Sequence, residues 1–245
     1  MKIAAYQAPL LSSYTETPLE LLRQQIGICV SEQVEILCCP EAIIGGLADY
    51  VRDPSKSAIA HSQLNDLLAP LASDTVTTIV GFTESSENGE LYNSAAIFHR
   101  GRIAGIYRKI HPAIRHSVYS AGKDLPVFEI NGLRFGILIC NDSNYPELAE
   151  KLVDQGATVI FIPTNNALPS DRTDVSPDAR KRDFAIASQF GVYVVRADVA
   201  GRTDKMYSQG SSEIVSPDGQ VIRSATPLGE DLLIAEICVL SQPPA

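Results

Sequence analysis

Apolar and polar positions along this chain fall into short runs of two kinds. Runs that are apolar almost throughout, at 34–39 (VEILCC), 77–82 (TTIVGF), 133–139 (LRFGILI) and 158–162 (TVIFI), have the length and β-branched content of strands buried on both faces. Further strands are predicted at 2–7, 94–99, 102–107, 127–130, 193–197, 211–215, 220–223 and 232–239. Three neighbouring pairs close on turn residues: Arg100-Gly101, Asn131-Gly132 and Pro217-Asp218-Gly219 each predict a hairpin. Apolar residues at helical spacing predict helices over 18–32 (Leu21, Leu22, Ile26), 57–71, 146–155 and 177–190, the last two stopping at Gly156 and Gly191.

Hairpins inside an alternating strand and helix order predict mixed rather than purely parallel sheets. Roughly a dozen strands exceed what one open twisted sheet usually holds, so two stacked sheets are expected, with helices on the outer faces. The fold class is α/β, a four-layer α-β-β-α sandwich with two mixed sheets. No Pro/Ser/Gly-rich linker or composition break divides the 245 residues, so a single domain is read over 1–245.

Composition narrows the function. Hydrophobic residues make up 45% and charged residues 20%, enough for a sizeable core. A formal net charge of -9 would repel a phosphate backbone, so nucleic acid is not an expected partner. No apolar stretch reaches the 18 or so residues of a membrane span, and the opening MKIAAYQAPLLSSY is too polar for a secretion leader. The five cysteines, at 29, 38, 39, 140 and 238, form no paired framework, which suits free thiols and a cytoplasmic setting. The histidines, at 61, 99, 111 and 116, show no metal-ligand spacing, so neither a metal nor a cofactor is expected.

The segment Leu133–Glu147, LRFGILICNDSNYPE, carries the chemistry. It predicts strand, tight turn and helix, with Cys140 at the corner and Pro146 at the first helical position, where its missing N–H costs nothing. Such a corner turns a nucleophile out from a sheet and aims free backbone N–H groups at what it attacks. Taken alone, Cys140 reads equally well as a buried core thiol. Glu41 and Lys109 change that balance. Each follows an apolar strand, and the carboxyl ends of strands are where sites gather in α/β folds. A thiol with a pKa near 8.5 needs a base or a cation to attack at neutral pH. Glu41 is placed to take the thiol proton and return it to a leaving amine. Lys109 and the backbone N–H of Asn141 would stabilise charge developing on the substrate.

With these segments in place, the chain resembles the carbon–nitrogen hydrolases of the nitrilase superfamily over nearly its whole length. The matching stretches are CCPEAIIGG around Glu41, IYRKIHP around Lys109 and GILICNDSNYPE around Cys140, in that order and 68 and 31 residues apart. Weaker matches are IAAYQAP, FIPTNN and GSSEIVSPDGQVI. The resemblance implies the sandwich reached above, a Glu-Lys-Cys triad without metal, and a homodimer as the usual smallest assembly. Two departures stand out. Many relatives carry a second glutamate between the lysine and the cysteine, where this chain has Arg115 and His116. The arginines that mark N-carbamoyl-D-amino acid hydrolases after the nucleophile are Ser143 and Asn144 here. Arg115, His116, Tyr119, Tyr145, Asn165 and Asn166 are expected to shape the substrate pocket.

The expected activity is cysteine-dependent hydrolysis of a non-peptide C–N bond in a small molecule, an amide first, through a thioester. N-carbamoyl or nitrile hydrolysis is the alternative within the class. A binding or regulatory protein on the same fold, or a thiol redox sensor using Cys140, is the alternative outside it.

Overall fold

Ile3 and Ala5 point to one side of the first strand, Ala4, Tyr6 and Ala8 to the other, and the two sets enter different cores. That alternation sets the layering of the whole molecule. The computed structural model describes residues 1–11, 17–50, 53–113, 116–170 and 178–238. In chain order the elements are β1 (Lys2–Pro9), α1 (Thr17–Ser31), β2 (Ile36–Cys38), β3 (Ile59–Ala60), α2 (His61–Leu68), β4 (Thr77–Ser85), β5 (Leu91–His99), β6 (Arg102–Arg108), β7 (Phe128–Ile130) and β8 (Leu133–Ile137). They continue with α3 (Pro146–Asp154), β9 (Val159–Pro163), β10 (Leu168–Pro169), α4 (Asp178–Phe190), β11 (Tyr193–Ala197), β12 (Val199–Arg202), β13 (Met206–Ser208), β14 (Glu213–Val215), β15 (Val221–Ser224) and β16 (Asp231–Glu236).

The strands form two mixed sheets. The larger runs β10-β13-β12-β1-β2-β4-β5-β6, with β16 on β1 and β3 on β4; the smaller runs β15-β14-β11-β9-β8-β7. The parallel centre of the first, β1-β2-β4, continues into the antiparallel β4-β5-β6 meander. In the second, β8, β9 and β11 are parallel, with antiparallel strands outside them. Between the sheets lies one core, where Ile3, Ile36, Ile79 and Ile97 meet Phe135, Ile137, Phe161 and Val195. Leu22, Ile26 and Cys29 of α1 and Leu64 and Leu68 of α2 cover the outer face of the larger sheet. Leu148, Ala149 and Leu152 of α3 and Ile186 and Ala187 of α4 cover that of the smaller. The result is the four-layer sandwich.

Turn chemistry closes the hairpins as expected. Arg100 and Gly101, and Asn131 and Gly132, all have positive φ (48°, 74°, 50° and 79°), the backbone that suits a two-residue loop between twisted strands. Other boundaries differ from the expectation. The helix read over 57–71 starts only at His61, because Ile59 and Ala60 pair with Glu84 and Ser85 as β3, and it gives way to a 3-10 turn at Ala69–Leu71. The short strands β3, β10, β12 and β13 are too brief to show a period and escape a reading by pattern. Cys29, Cys38 and Cys39 are buried, whereas Cys238 is exposed just past β16, on the opposite side of the alternation from the buried Leu233, Ala235 and Ile237. Pro177 and Val239, which bounded two of the expected elements, lie outside the described residues. Among the described residues no helix is long and apolar enough to cross a membrane.

Candidate active site

Three strand ends converge on one small cavity. Glu41 follows β2, Lys109 follows β6 and Cys140 follows β8, and all three line a cavity of about 60 Å³ with Asn93, Tyr119 and Asn165. Leu47, Asp49, Tyr50, Pro112 and Ala113 complete its wall.

Glu41 is held by its backbone and by its carboxylate. Its N–H donates to Thr164 O at 3.2 Å, and the loop lies directly on β4. Gly81 permits that approach: a Cβ there would clash with Pro40 O and stand 2.6 Å from Ala42 N and 2.8 Å from Glu41 Cα. Lys109 Nζ donates to Glu41 Oε1 at 2.5 Å, Asn93 Nδ2 to the same oxygen at 2.8 Å, and the Asn165 N–H to Oε2 at 2.9 Å. Glu41 and Lys109 are 2% and 4% exposed, so their pairing takes place almost without solvent screening. Burial by itself would lower the Lys109 pKa. The carboxylate of Glu41, with Cys140 and Asp142 beyond it, outweighs burial and holds the ammonium above its ordinary value.

Cys140 opens a 3-10 turn, Cys140–Asn144, that leads into α3 at Pro146. Its φ of 45° is the left-handed backbone a side chain rarely adopts, and it turns the residue out of the strand direction. Asp142 fixes the turn: Oδ2 accepts from Tyr107 OH at 2.7 Å and from the Ile139 N–H at 3.1 Å, and Oδ1 accepts from the His111 N–H at 2.8 Å. Ser143 Oγ donates to Cys140 O at 2.8 Å and receives Arg196 Nη2 at 3.1 Å. Arg196 is 1% exposed and forks onto both oxygens of the fully buried Asp183, at 2.5 and 2.6 Å. Burial, then the nearby Glu41, pushes the Cys140 thiol up to about 12, against the pull of Lys109 and Arg196. The resting sulfur is therefore protonated at neutral pH.

The other expected pocket residues separate. Tyr119 and Asn165 line the cavity; Tyr119 OH accepts from the Ala48 N–H at 2.7 Å and shares a hydrogen bond with Thr83 Oγ1 at 2.7 Å. Asn166 Oδ1 lies 3.7 Å from Cys140 Sγ. Asn141 uses its side chain on His111 O at 3.0 Å, and its N–H stands in the first turn of the 3-10 segment, where N–H groups have no intrahelical acceptor. Tyr145 stacks on His111 with ring centroids 3.6 Å apart, and neither Tyr145 nor the exposed His116 lines the cavity. Arg115 lies outside the described residues. Asp49, which the sequence reading missed, lines the cavity and accepts from the Val118 N–H at 2.9 Å and Ser117 Oγ at 3.0 Å. Asn93 was missed too; it is an ordinary polar residue in a strand until β5 pairs beside the Glu41 loop. Among the described residues no group of three His, Cys, Asp or Glu side chains could hold a metal ion.

This geometry sits on a sandwich that other proteins share. The chain belongs to the carbon–nitrogen hydrolase family, whose model matches residues 2–240. It is 31% identical to a Pseudomonas protegens protein described as "Hydrolase in pqqF 5'region", over 97% of this chain and 82% of that protein. It is 33% identical to a nitrilase of Pyrococcus abyssi over 73% of this chain, spanning 66% of the nitrilase, just under two thirds of its length. An (R)-stereoselective amidase of a Pseudomonas species is 28% identical over 92% of this chain and 81% of the amidase. Among solved structures, Saccharomyces cerevisiae Nit3, of the nitrilase superfamily, superposes with a TM-score of 0.78 at 22% identity, over 96% of this chain and 89% of Nit3.

Proposed function

We propose that this hydrolase cleaves a small-molecule amide, with Cys140 as nucleophile, Glu41 as general base and acid, and Lys109 with the Asn141 N–H as the oxyanion site. The observation that carries the reading is the 2.5 Å pair of Lys109 and Glu41 on the wall of the cavity that also holds Cys140. A thiol pushed up to about 12 is unreactive by itself, so the proton has to leave as the bond to carbon forms. Sulfur attacks the carbonyl carbon, Glu41 takes the S–H proton, and the carbonyl electrons move onto oxygen facing Lys109 and Asn141. Each preorganised donor there is worth about 3–4 kcal/mol of barrier. Collapse of the tetrahedral species breaks the C–N bond, and Glu41 gives its proton to the departing amine. Water, deprotonated by Glu41, then cleaves the thioester and returns the thiol with a carboxylic acid product.

Two features support an amide over the alternatives. Ser143 and Asn144 stand where N-carbamoyl-D-amino acid hydrolases resembling this chain carry arginines, and Ser143 is turned inward onto Cys140 O. The amidase relative matches almost the whole chain, whereas the nitrilase relative matches 73% of it. The test is intact-protein mass after brief exposure to pooled small amides, N-carbamoyl compounds and nitriles, beside Cys140→Ala. A mass increase on the wild type alone, from the amide pool, is expected, and its size names the acyl group. An adduct only from the nitrile or N-carbamoyl pool would overturn the substrate class, and ligand binding with no adduct from any pool would overturn the enzymatic reading.

A further inference from the structure

Cys140 Sγ donates to Asn166 Oδ1 at 3.7 Å, within the longer reach of sulfur, and among the described residues no hydrogen bond joins it to Glu41. Asn166 is not free to turn its amide over. Its Nδ2 donates to Asp198 Oδ2 at 3.1 Å and to Ser211 Oγ at 3.0 Å, and its backbone N–H donates to Asp198 Oδ1 at 3.0 Å. Ser211 Oγ in turn donates to Asp198 Oδ2 at 2.6 Å, and Asp198 Oδ1 also accepts from the Val199 N–H at 2.8 Å. Asp198 is fully buried. A carboxylate only accepts, and an amide has one donor end and one acceptor end. The nitrogen must therefore face Asp198, which leaves the oxygen facing the thiol. The flipped amide would press oxygen against carboxylate in a medium of low dielectric.

We propose that Asp198 and Asn166 form a latch that holds the resting Cys140 thiol protonated and turned away from Glu41 until substrate fills the cavity. Asn166 is the positioning residue in contact with sulfur, and Asp198 acts through it. A hydrogen bond that only the neutral form can donate disfavours the charged form. A thiolate at this position would meet the lone pairs of Oδ1, and Glu41 and Asp198 oppose it while Lys109 and Arg196 favour it. Alkylating and oxidising agents react with thiolates, so the latched cysteine is protected between turnovers. Engagement needs only a change of rotamer at Cys140, after which the S–H proton passes to Glu41 as the S–C bond forms.

The latch rests on the reading of Cys140 as nucleophile, but its test follows the thiol and needs no substrate. The full-length protein is treated with iodoacetamide across a range of pH, and the Cys140 and Cys29 peptides are followed by mass. Asn166→Ala and Asp198→Asn are each expected to speed alkylation of Cys140 about tenfold at pH 8, the consequence of an inflection about one unit lower. Ser211→Ala is expected to do so more weakly, since Nδ2 keeps Asp198, and the effect of Asp198→Asn is expected to shrink in the Asn166→Ala background. Cys29, buried on the inner face of α1, reports any general loosening. Unchanged Cys140 rates in the variants, or equal acceleration of Cys29 and Cys140, would overturn the latch. Should Asp198→Asn fail to fold, Asn166→Ala and Ser211→Ala decide the question alone.

Discussion

The Tyr107 hydroxyl donates to the Asp142 carboxylate at 2.7 Å, and this one bond ties the strand that delivers Lys109 to the turn that delivers Cys140. Both partners are fully buried. Burial raises the Asp142 pKa, while Lys109, the Tyr107 hydroxyl and the His111 and Ile139 N–H groups pull it down. Tyr107→Phe removes the donor and leaves the carboxylate under-satisfied, at a cost of about 1–3 kcal/mol. Urea unfolding should show that loss. Activity should fall by more than stability explains at temperatures where the variant is fully folded, because Lys109 and the Cys140 turn lose their shared anchor. Activity equal to wild type in the folded variant would mean the bond serves stability alone.

Gly81 tests the placement of Glu41. An alanine Cβ would meet the backbone of Pro40, Glu41 and Ala42, and backbone cannot move aside as a flexible side chain can. Overpacking of this kind costs about 1–3 kcal/mol. The strain falls on the loop rather than on β4, whose ladders to β2 and β5 hold it on both sides. Gly81→Ala should therefore fold, and its kcat should fall at least tenfold while Cys140 is alkylated no more slowly than in wild type. Full activity in a folded Gly81→Ala protein would show that the Glu41 loop tolerates displacement.

How much of this could be read from the chain depends on the reach of each interaction. The Cys140 corner was legible because its signals are local: an apolar run, a turn, and Pro146 at the first helical position. The Asn131-Gly132 turn and the buried strands were legible for the same reason. Glu41 and Lys109 gained meaning from their shared setting at strand ends and from the resemblance their segments carry. Asp142 to Tyr107, Asn166 to Asp198 and Arg196 to Ser143 join residues 35, 32 and 53 apart, and such pairs exist only once the sheets are stacked in register. One of them left a trace. Arg196 sits in YVVRADVA, a charge inside a strand that reads as buried, and a buried charge must be paired. A loop following Lys109 has no period from which the direction of His116 follows; in the structure Asp49 lines the cavity and His116 does not.

Glu213 sets a pH dependence of stability. Burial, then the neighbouring Asp183, pushes its carboxyl up to about 8 against Arg180 and Arg196, from an ordinary value of 4.5. Among the described residues no hydrogen bond reaches its buried Oε1, and Arg180 Nε stands 3.7 Å from Oε2. Between those pH values the folded state holds a proton that the unfolded state has released. The stability this group contributes is therefore complete below about 4.5 and is lost as pH rises through about 8. Glu213→Gln carries no such proton. Urea unfolding at pH 6 and pH 9 should show wild type losing more stability than the variant; equal losses would rule out Glu213 as the source.

Arg196 and Asp183 separate what the buried pair does for the fold from what it does for the nucleophile. Both are buried, and the guanidinium also reaches Thr164 Oγ1 at 2.6 Å and Ser143 Oγ at 3.1 Å. Removing one partner of a buried pair strands the other charge, typically at about 3–5 kcal/mol, whereas neutralising both can come close to break-even. Arg196→Met should therefore unfold at markedly lower urea, and adding Asp183→Asn should recover much of the loss. Arg196→Lys should not substitute well, since an ammonium cannot reproduce the fork onto both Asp183 oxygens. Activity should not follow the recovery. The double variant restores charge balance but returns no donor to Ser143 Oγ, the group that holds Cys140 O, and it removes a cation that favours the thiolate. A double variant with near wild-type stability and a low kcat would place Arg196 in the support of the Cys140 turn; recovery of stability and kcat together would confine it to the fold.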